Sequence, residues 1–280
     1  MWGLRPKRPA RNIGTQQRGP SATPGLTSPL FVTFESTLPL GEPELMRVSA
    51  FQRYLDELKR EGADESLTRL SSLNPSLLQD LLRFEQDGRH TELLEVLAAC
   101  VRHARSLAVY MQCGLRVVPL TVFPTERLAH CPLPMHEFLA QRLSDLQVLR
   151  VEPAVLRPPG DPEAALVGEP HLYQPLGPVT WELAMRGSRE QLLPEIAGPA
   201  AYRVALGMNL REVVLTGVVQ AAVNRLHRDS ANLRKMSEWP GLNRGRAMRL
   251  LNALYLQGGL IVSRTHPVAT NDSWFGSSRS

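Results

Sequence analysis

The sequence predicts an α+β protein that is mostly helical, with a mixed α/β middle domain followed by a smaller C-terminal domain. Three observations support this class. Apolar residues recur at helical spacing through residues 44–112, short β-branched runs occupy 115–123 and 147–155, and residues 232–264 read as helix, turn, helix and strand. A chain of 280 residues is long enough for two domains of ordinary size.

Composition divides the chain into four predicted segments. Residues 1–34 are rich in proline, glycine and arginine, so we expect a disordered basic tail. Residues 35–198 are expected to form the mixed α/β domain, with a regulatory or scaffold role, and Gly198–Pro199 marks its end. Residues 199–265 form the second predicted domain, and residues 266–280 a C-terminal tail.

Charge is distributed unevenly along the chain, whose net charge is +5. Residues 1–34 carry five basic residues and no acid, and residues 199–280 carry 11 basic against 4 acidic residues. The stretch between them carries 16 basic against 23 acidic residues. Basic ends attract phosphate backbones or acidic partners, but the same pattern also serves solubility, so both interpretations stay open.

Cysteine usage and hydropathy indicate the compartment. Cys100, Cys113 and Cys131 lack the even count and the regular spacing of a disulfide framework. The sequence contains no run of about 18 apolar residues, so no membrane span is predicted. It also lacks the apolar core after a charged start that is typical of a secretory signal. These observations predict a cytoplasmic protein without a membrane partner.

Three helices are predicted before residue 115. The first covers 44–60, and the second runs from Asn74–Pro75, a cap followed by proline, to Gly88. The third covers 91–112, because one apolar stripe continues along its whole length. The members of this stripe are Leu94, Leu97, Val101, Ala104, Ala108 and Met111.

A change in composition at residue 115 predicts strands. Residues 115–123 are short and β-branched, and Pro119 predicts an edge strand or a bulged one, because proline cannot donate to a ladder. The other elements predicted in this domain are a helix over 134–146, a strand over 147–155, and short helices over 179–185 and 188–196.

The C-terminal region has the most regular pattern of the chain. Its predicted elements are helices over 211–226, 232–239 and 242–256 and a strand over 260–264, with turns at Pro240–Gly241 and Gly258–Gly259. On the third helix, Ala247, Leu250, Leu251 and Leu254 recur at the spacing of one buried face. Arg246, Arg249 and Asn252 fall largely off that face.

This region resembles a winged-helix domain, a helix-turn-helix with a strand packed beside it as a wing. The resemblance covers about 55 residues, a fifth of the chain, and rests on the pattern rather than on a signature motif. The region is also loosely similar to the small helical tail domains of bacterial signalling proteins, which often do not bind DNA.

The winged-helix resemblance implies that the third helix enters the major groove with its N-terminal residues against base edges. Arginine pairs bidentately with guanine and asparagine with adenine. The candidate base-reading residues are therefore Asn243, Arg244, Arg246 and Arg249, and the candidate phosphate contacts are Arg234, Lys235 and Arg264. The alternative is that these residues are a solvated surface, or a surface that docks an acidic protein.

Sequence patterns of catalytic and cofactor sites are absent. Neither a phosphate-binding glycine loop nor a Gly-x-Ser-x-Gly elbow occurs. Cys100, His103, His130 and Cys131 lack the paired spacing of a zinc site, and strand geometry would place His130 and Cys131 on opposite faces. We therefore predict no cofactor, no metal and no enzymatic activity. An enzyme would instead need a polar cleft within 115–185.

Taken together, these patterns predict a non-enzymatic regulatory protein. In the leading hypothesis it is a transcriptional regulator that binds DNA through the winged helix, while the middle domain senses a signal or forms a homodimer. In the alternative hypothesis it is a signalling adaptor whose winged-helix fold docks a protein partner. Salt dependence separates the two, because phosphate contacts weaken steeply with salt and apolar contacts do not.

Overall fold

The computed structural model describes residues 45–60, 75–77, 79–80 and 92–270. The predicted N-terminal tail, most of the second predicted helix and residues 271–280 of the predicted C-terminal tail lie outside these residues. A five-stranded antiparallel sheet has the strand order β4-β1-β2-β3-β5. Its strands are β1 (Leu107–Cys113), β2 (Arg116–Phe123), β3 (Leu128–His130), β4 (Gln147–Pro153) and β5 (Tyr173–Pro175).

The helix predicted over 91–112 is wrong beyond residue 103. Helix α2 (Leu93–His103) ends at Ala104, which adopts the left-handed φ of +49° and turns the chain into β1. In β1, Leu107, Val109 and Met111 are buried with a period of two. The apolar stripe that predicted one long helix was thus continued by a strand, since spacing over a few residues fits either element.

The strand predicted over 115–123 is confirmed as β2, but the prediction of an edge or bulged strand is wrong. β2 lies between β1 and β3, and its pairing with β1 has a continuous register. The N–H of Val117 donates to Met46, on the side away from β1, and the nitrogen of Pro119 faces the same way. The ladder with β3 starts only at Thr121. Proline is therefore tolerated here because its missing N–H would have had no strand partner among the described residues.

Helices cover both faces of the sheet. Helix α1 (Val48–Arg60) places Phe51 on Tyr110, with ring centroids 5.2 Å apart. Tyr110 points away from Val109 and Met111, whose side chains join the core with α2 and α4 (Leu176–Arg186). The strand predicted over 147–155 and the helix over 179–185 are confirmed as β4 and α4. The helix predicted over 134–146 is split into α3 (Met135–Ala140) and a single 3₁₀ turn, Leu143–Asp145.

The short helix predicted over 188–196 is absent from the described structure. Side chains from elsewhere satisfy the backbone of this segment instead. Arg189 donates to the carbonyls of Gln191 and Leu192, and Asn252 binds the backbone of Gln191 and Leu193. Backbone groups bound in this way do not take part in i to i−4 helical bonds.

The element order predicted for residues 232–264 is present. The elements from residue 201 onward are β6 (Ala201–Val204), α5 (Gly217–Arg228), α6 (Leu233–Ser237), α7 (Arg244–Leu256), β7 (Leu260–Ser263) and α8 (Pro267–Thr270). The sequence did not predict β6, which pairs with β7. Helix α5 begins at Gly217 rather than at 211, because Gly217 has a φ of +51° that separates it from the preceding loop.

The chain is a mixed α and β structure, as predicted. Helix α7 lies in its centre, packed against α4 and α6, and one hydrophobic core includes residues on both sides of Gly198–Pro199. All described residues belong to one compact unit, Glu42–Ser280, and the domain boundary stays a prediction. Across the described part of the chain, every helix is too short or too polar to cross a membrane.

Candidate nucleic-acid interface

Only the N-terminal end of α7 reaches the surface. Asn243, Arg244 and Arg246 are exposed, whereas from residue 250 to 256 every residue except the half-buried Tyr255 is buried. Helices α4 and α6 cover the rest of α7. A base-reading surface on this helix would therefore be confined to its first turns.

Asn243 is the N-cap of α7. Its backbone is extended, and its side-chain Oδ1 accepts a hydrogen bond from the N–H of Arg246 at 2.9 Å. This bond satisfies one of the amides that have no partner within a helix. The same oxygen would be needed for a bidentate pair with adenine. Capping therefore explains this asparagine without a base contact.

Arg249 and Arg264 are held by the chain that precedes β6. Nη2 of Arg249 lies 3.3 Å from Oε1 of Glu190, and its Nε is buried with no acceptor among the described residues. Arg264 donates to the carbonyls of Ala197 and Glu195 at 2.8 and 3.3 Å. Both guanidinium groups therefore fasten residues 190–197 to α7 and β7.

The other predicted site residues remain available to a ligand. Lys235 and Arg244 are exposed, and their side chains make no hydrogen bond or ion pair within the described chain. Nε of Arg234 lies 3.8 Å from Glu238, an exposed pair that contributes little. Nη1 of Arg246 donates weakly to the carbonyl of Gly241 at 3.3 Å.

Two further exposed arginines, which the sequence did not single out, lie in the last turn of α5. The guanidinium of Arg225 lies over the ring of Trp239, 4.6 Å from its centroid, and Arg228 follows three residues later. Basic residues at a helix end usually complement the helix dipole, so the sequence alone gave no signal. We call six exposed residues the basic set: Arg225, Arg228, Arg234, Lys235, Arg244 and Arg246.

The cysteines and histidines considered for a metal site do not converge. Among the described residues, no three His, Cys, Asp or Glu side chains are placed to share a metal ion. Burial raises the pKa of Cys100 to about 12 and that of Cys131 to about 11. A nucleophilic cysteine needs the opposite shift. Burial also lowers the pKa of His130, whose ring packs against Tyr173 at 4.8 Å.

A polar network joins residues 75–80 to α2. Oγ of Ser76 lies 3.4 Å from Nδ1 of His103, and Nε2 of His103 lies 2.9 Å from Oδ2 of Asp80. The order serine, histidine, aspartate occurs in hydrolases, but Arg102 also binds Asp80 and links it to Glu195. Asp80 is thus shared with an ion-pair network that joins α2 to the segment before residue 201.

A cavity of about 370 Å³ lies beside β2, within the stretch where an enzyme would need a polar cleft. Its polar lining includes Arg116, Glu137 and Gln141, and the thiol of Cys113 lies at its side. Among the described residues that line it, Glu137 is the one carboxylate and there is no histidine.

No protein family, curated protein or solved structure matches this chain. A functional assignment therefore depends on the geometry of the described residues.

Proposed function

We propose that this protein is a non-enzymatic, DNA-binding transcriptional regulator whose C-terminal region acts as a winged-helix module. One observation carries the proposal: the only exposed part of α7 is its N-terminal end, and that end presents Arg244 and Arg246. A recognition helix contacts base edges with its N-terminal residues, so this is the part of α7 that a major groove would receive.

The proposal gives different roles to the predicted site residues. Arg244 is the first base-reading candidate, because its side chain is free within the described chain. Arg246 is the second and lies two residues later in the same turn of α7. Arg234 and Lys235 on α6 contact phosphates. Asn243 caps α7, while Arg249 and Arg264 hold the helix and β7 in place.

β7 is the strand that the winged-helix resemblance assigns to the wing, and its surroundings limit how it could contact DNA. β7 pairs with β6, which precedes the helices, and residues 267–270 continue as α8. Within the described chain β7 is therefore not followed by a second strand that would form a hairpin loop. The proposed contact with DNA consequently relies on α6, the turn after it, and α7.

The test uses the whole chain, because a fragment starting at residue 199 would uncover the face of α7 that packs on α4. Fluorescence anisotropy would follow binding to a mixed-sequence duplex of about 30 base pairs between about 50 and 200 mM salt. If most of the basic set contacts phosphates, the slope of log K against log salt should be about −3 to −5.

The Arg244→Ala/Arg246→Ala double variant should bind more weakly than the wild type, and its salt slope should change little, because these two arginines are assigned to base edges rather than to phosphates. Arg249→Ala is the matched control, because it also removes a positive charge from α7, but one that is paired with Glu190. Absence of binding by the wild type at low salt would refute the proposal. So would a double variant that binds as the control does.

A second candidate function, docking of a protein partner by the same region, is favoured by one specific observation. Leu206 and Val214, in the loop between β6 and α5, are 83% and 84% exposed. A contiguous exposed apolar patch marks a protein interface, whereas single exposed apolar side chains do not, so this candidate requires that the two side chains form one patch. Adaptor function predicts a complex that persists at high salt and is lost in Leu206→Ser/Val214→Ser. If the occupant is a second copy, light scattering should show a mass that rises with concentration in the wild type only.

A further inference from the structure

The Arg225–Trp239 contact is the feature of the basic set that sequence reasoning did not find. Arg225 lies in the last turn of α5, and Asp229, four residues later, is the C-cap of that helix and has an extended backbone. The guanidinium lies over the indole of Trp239, 4.6 Å from the ring centroid, and forms no ion pair in the described structure. The charge is therefore held in place without being neutralised.

The guanidinium carbon of Arg225 lies over the Trp239 ring, and a cation–π contact of this kind restrains the group without using its N–H donors in a hydrogen bond. Those donors can still bind an anion. Trp239, which we call the platform of Arg225, is 8% exposed and is held by the core, whereas Arg225 itself is exposed. A planar donor group that is already ordered loses less entropy when it binds a phosphate.

The platform also lies next to the proposed DNA contact. Trp239 begins the turn between α6 and α7, and its carbonyl accepts from the N–H of Leu242 at 3.0 Å. Arg246 reaches back to the same turn through the carbonyl of Gly241. Arg225 and Arg246, which are far apart in sequence, thus adjoin one short turn that leads into the exposed end of α7.

We propose that Arg225, held on the indole face of Trp239, is a phosphate contact that fixes the position of α7 on DNA. This inference rests on the proposed function. The ligand group is a backbone phosphate of a duplex, so Arg225 contributes to affinity for all sequences and not to discrimination between them.

The experiment measures the salt slope of full-length variants on the mixed-sequence duplex. Arg225→Ala should weaken binding about three- to tenfold at low salt and reduce the slope by about 1. Arg225→Lys keeps the positive charge but loses the planar guanidinium group, so the salt slope should be unchanged while the affinity for DNA falls. The matched control is Arg142→Ala, which removes an exposed charge from the sheet region.

Substitutions of Trp239 test whether the position of the Arg225 guanidinium matters separately from its charge. Trp239→Phe keeps an aromatic face and should bind almost as the wild type does. Trp239→Leu keeps every charge but removes that face, so we expect weaker binding with an unchanged slope. Circular dichroism and thermal unfolding would show that each variant is folded, and a Trp239→Leu protein that does not fold leaves the decision to the Arg225 variants.

The outcomes distinguish this inference from the function on which it rests. If the wild type does not bind DNA, the proposed function fails and this inference fails with it. If the wild type binds with a steep salt slope but Arg225→Ala behaves as Arg142→Ala does, only the phosphate contact at Arg225 is refuted.

Discussion

The side chain of Asn252 fastens the backbone at Leu193 to the middle of α7. Its Oδ1 accepts from the N–H of Leu193 at 2.9 Å, and its Nδ2 donates to the carbonyl of Gln191 at 2.8 Å. Asn252 is fully buried, and its bond to Leu193 lies in the core, whereas its bond to Gln191 is half-buried. The expectation that this residue falls off the buried face of the helix is wrong, because α7 is covered on more than one side.

Asn252→Ala should lower the free energy of unfolding by about 1–3 kcal/mol, since it leaves the buried N–H of Leu193 without its acceptor, whereas the carbonyl of Gln191 keeps its bond from Arg189. Denaturant unfolding would measure the loss. Asn224→Ala, an exposed asparagine on α5, is the matched control and should change stability by less than about 0.5 kcal/mol. Equal effects of the two substitutions would contradict the proposed clamp.

Substitutions at Asn243 separate helix capping from base recognition. Asn243→Ala should cost about 1 kcal/mol, because the N–H of Arg246 loses its acceptor. Asn243→Ser keeps a capping oxygen and should restore stability. If the residue only caps, Asn243→Ser should also keep DNA affinity in the anisotropy assay. A stable Asn243→Ser protein that binds an adenine-containing site much more weakly would show that the carboxamide reads a base.

The burial of His130 should make stability depend on pH. Burial lowers the pKa of His130 below its ordinary value of 6.5, so the residue is neutral in the folded state. Tyr173 and Gly168 pack against its ring. As pH falls below about 6.5 the unfolded chain binds this proton more readily than the folded one, so stability decreases until the pH reaches the lowered folded pKa.

Comparison of His130→Gln with the wild type at pH 7.5 and 5.5 tests this dependence. The variant is less stable at the higher pH if the packing on Tyr173 is lost, but it should lose less stability on acidification. His136→Gln, an exposed substitution, should follow the wild type at both pH values. Parallel pH profiles for His130→Gln and the wild type would refute the role of His130.

Sequence reasoning succeeded where the determining chemistry is local. Gly241 and Gly258 adopt the positive φ values expected at a turn and a helix end. Each feature depends on residues within about one helical turn of each other. The order of elements over residues 232–264 was therefore predictable, and so was the exposure of Arg244.

Elements that depend on distant partners were not predictable from one sequence. β1 exists because it pairs with β2 and β4, and its apolar residues also fit a helical stripe. Segment 188–196 is irregular because Asn252, some sixty residues later, supplies its hydrogen bonds. In the candidate site, Arg249 and Arg264 likewise have partners 59 and 67 residues away in the chain. The indole that contacts Arg225 lies beyond the next helix.

The three thiols should differ sharply in reactivity. Cys100 and Cys131 are buried, while Cys113 is half-buried at the end of β1. Burial raises the pKa of all three thiols, to about 12 for Cys100 and about 11 for Cys131. The thiolate is the reactive form. At pH 8 we therefore expect Cys113 to react first with a disulfide reagent.

Titration of the native protein with this reagent should reveal one accessible thiol, and titration in denaturant should reveal all three in the sequence. Cys113→Ser should remove the early reaction and leave the other two unchanged. The later reaction then reports how often the structure opens, because Cys100 on α2 and Cys131 after β3 must both be uncovered before they ionise. Rapid reaction of more than one thiol in the native Cys113→Ser protein would contradict the burial of both residues.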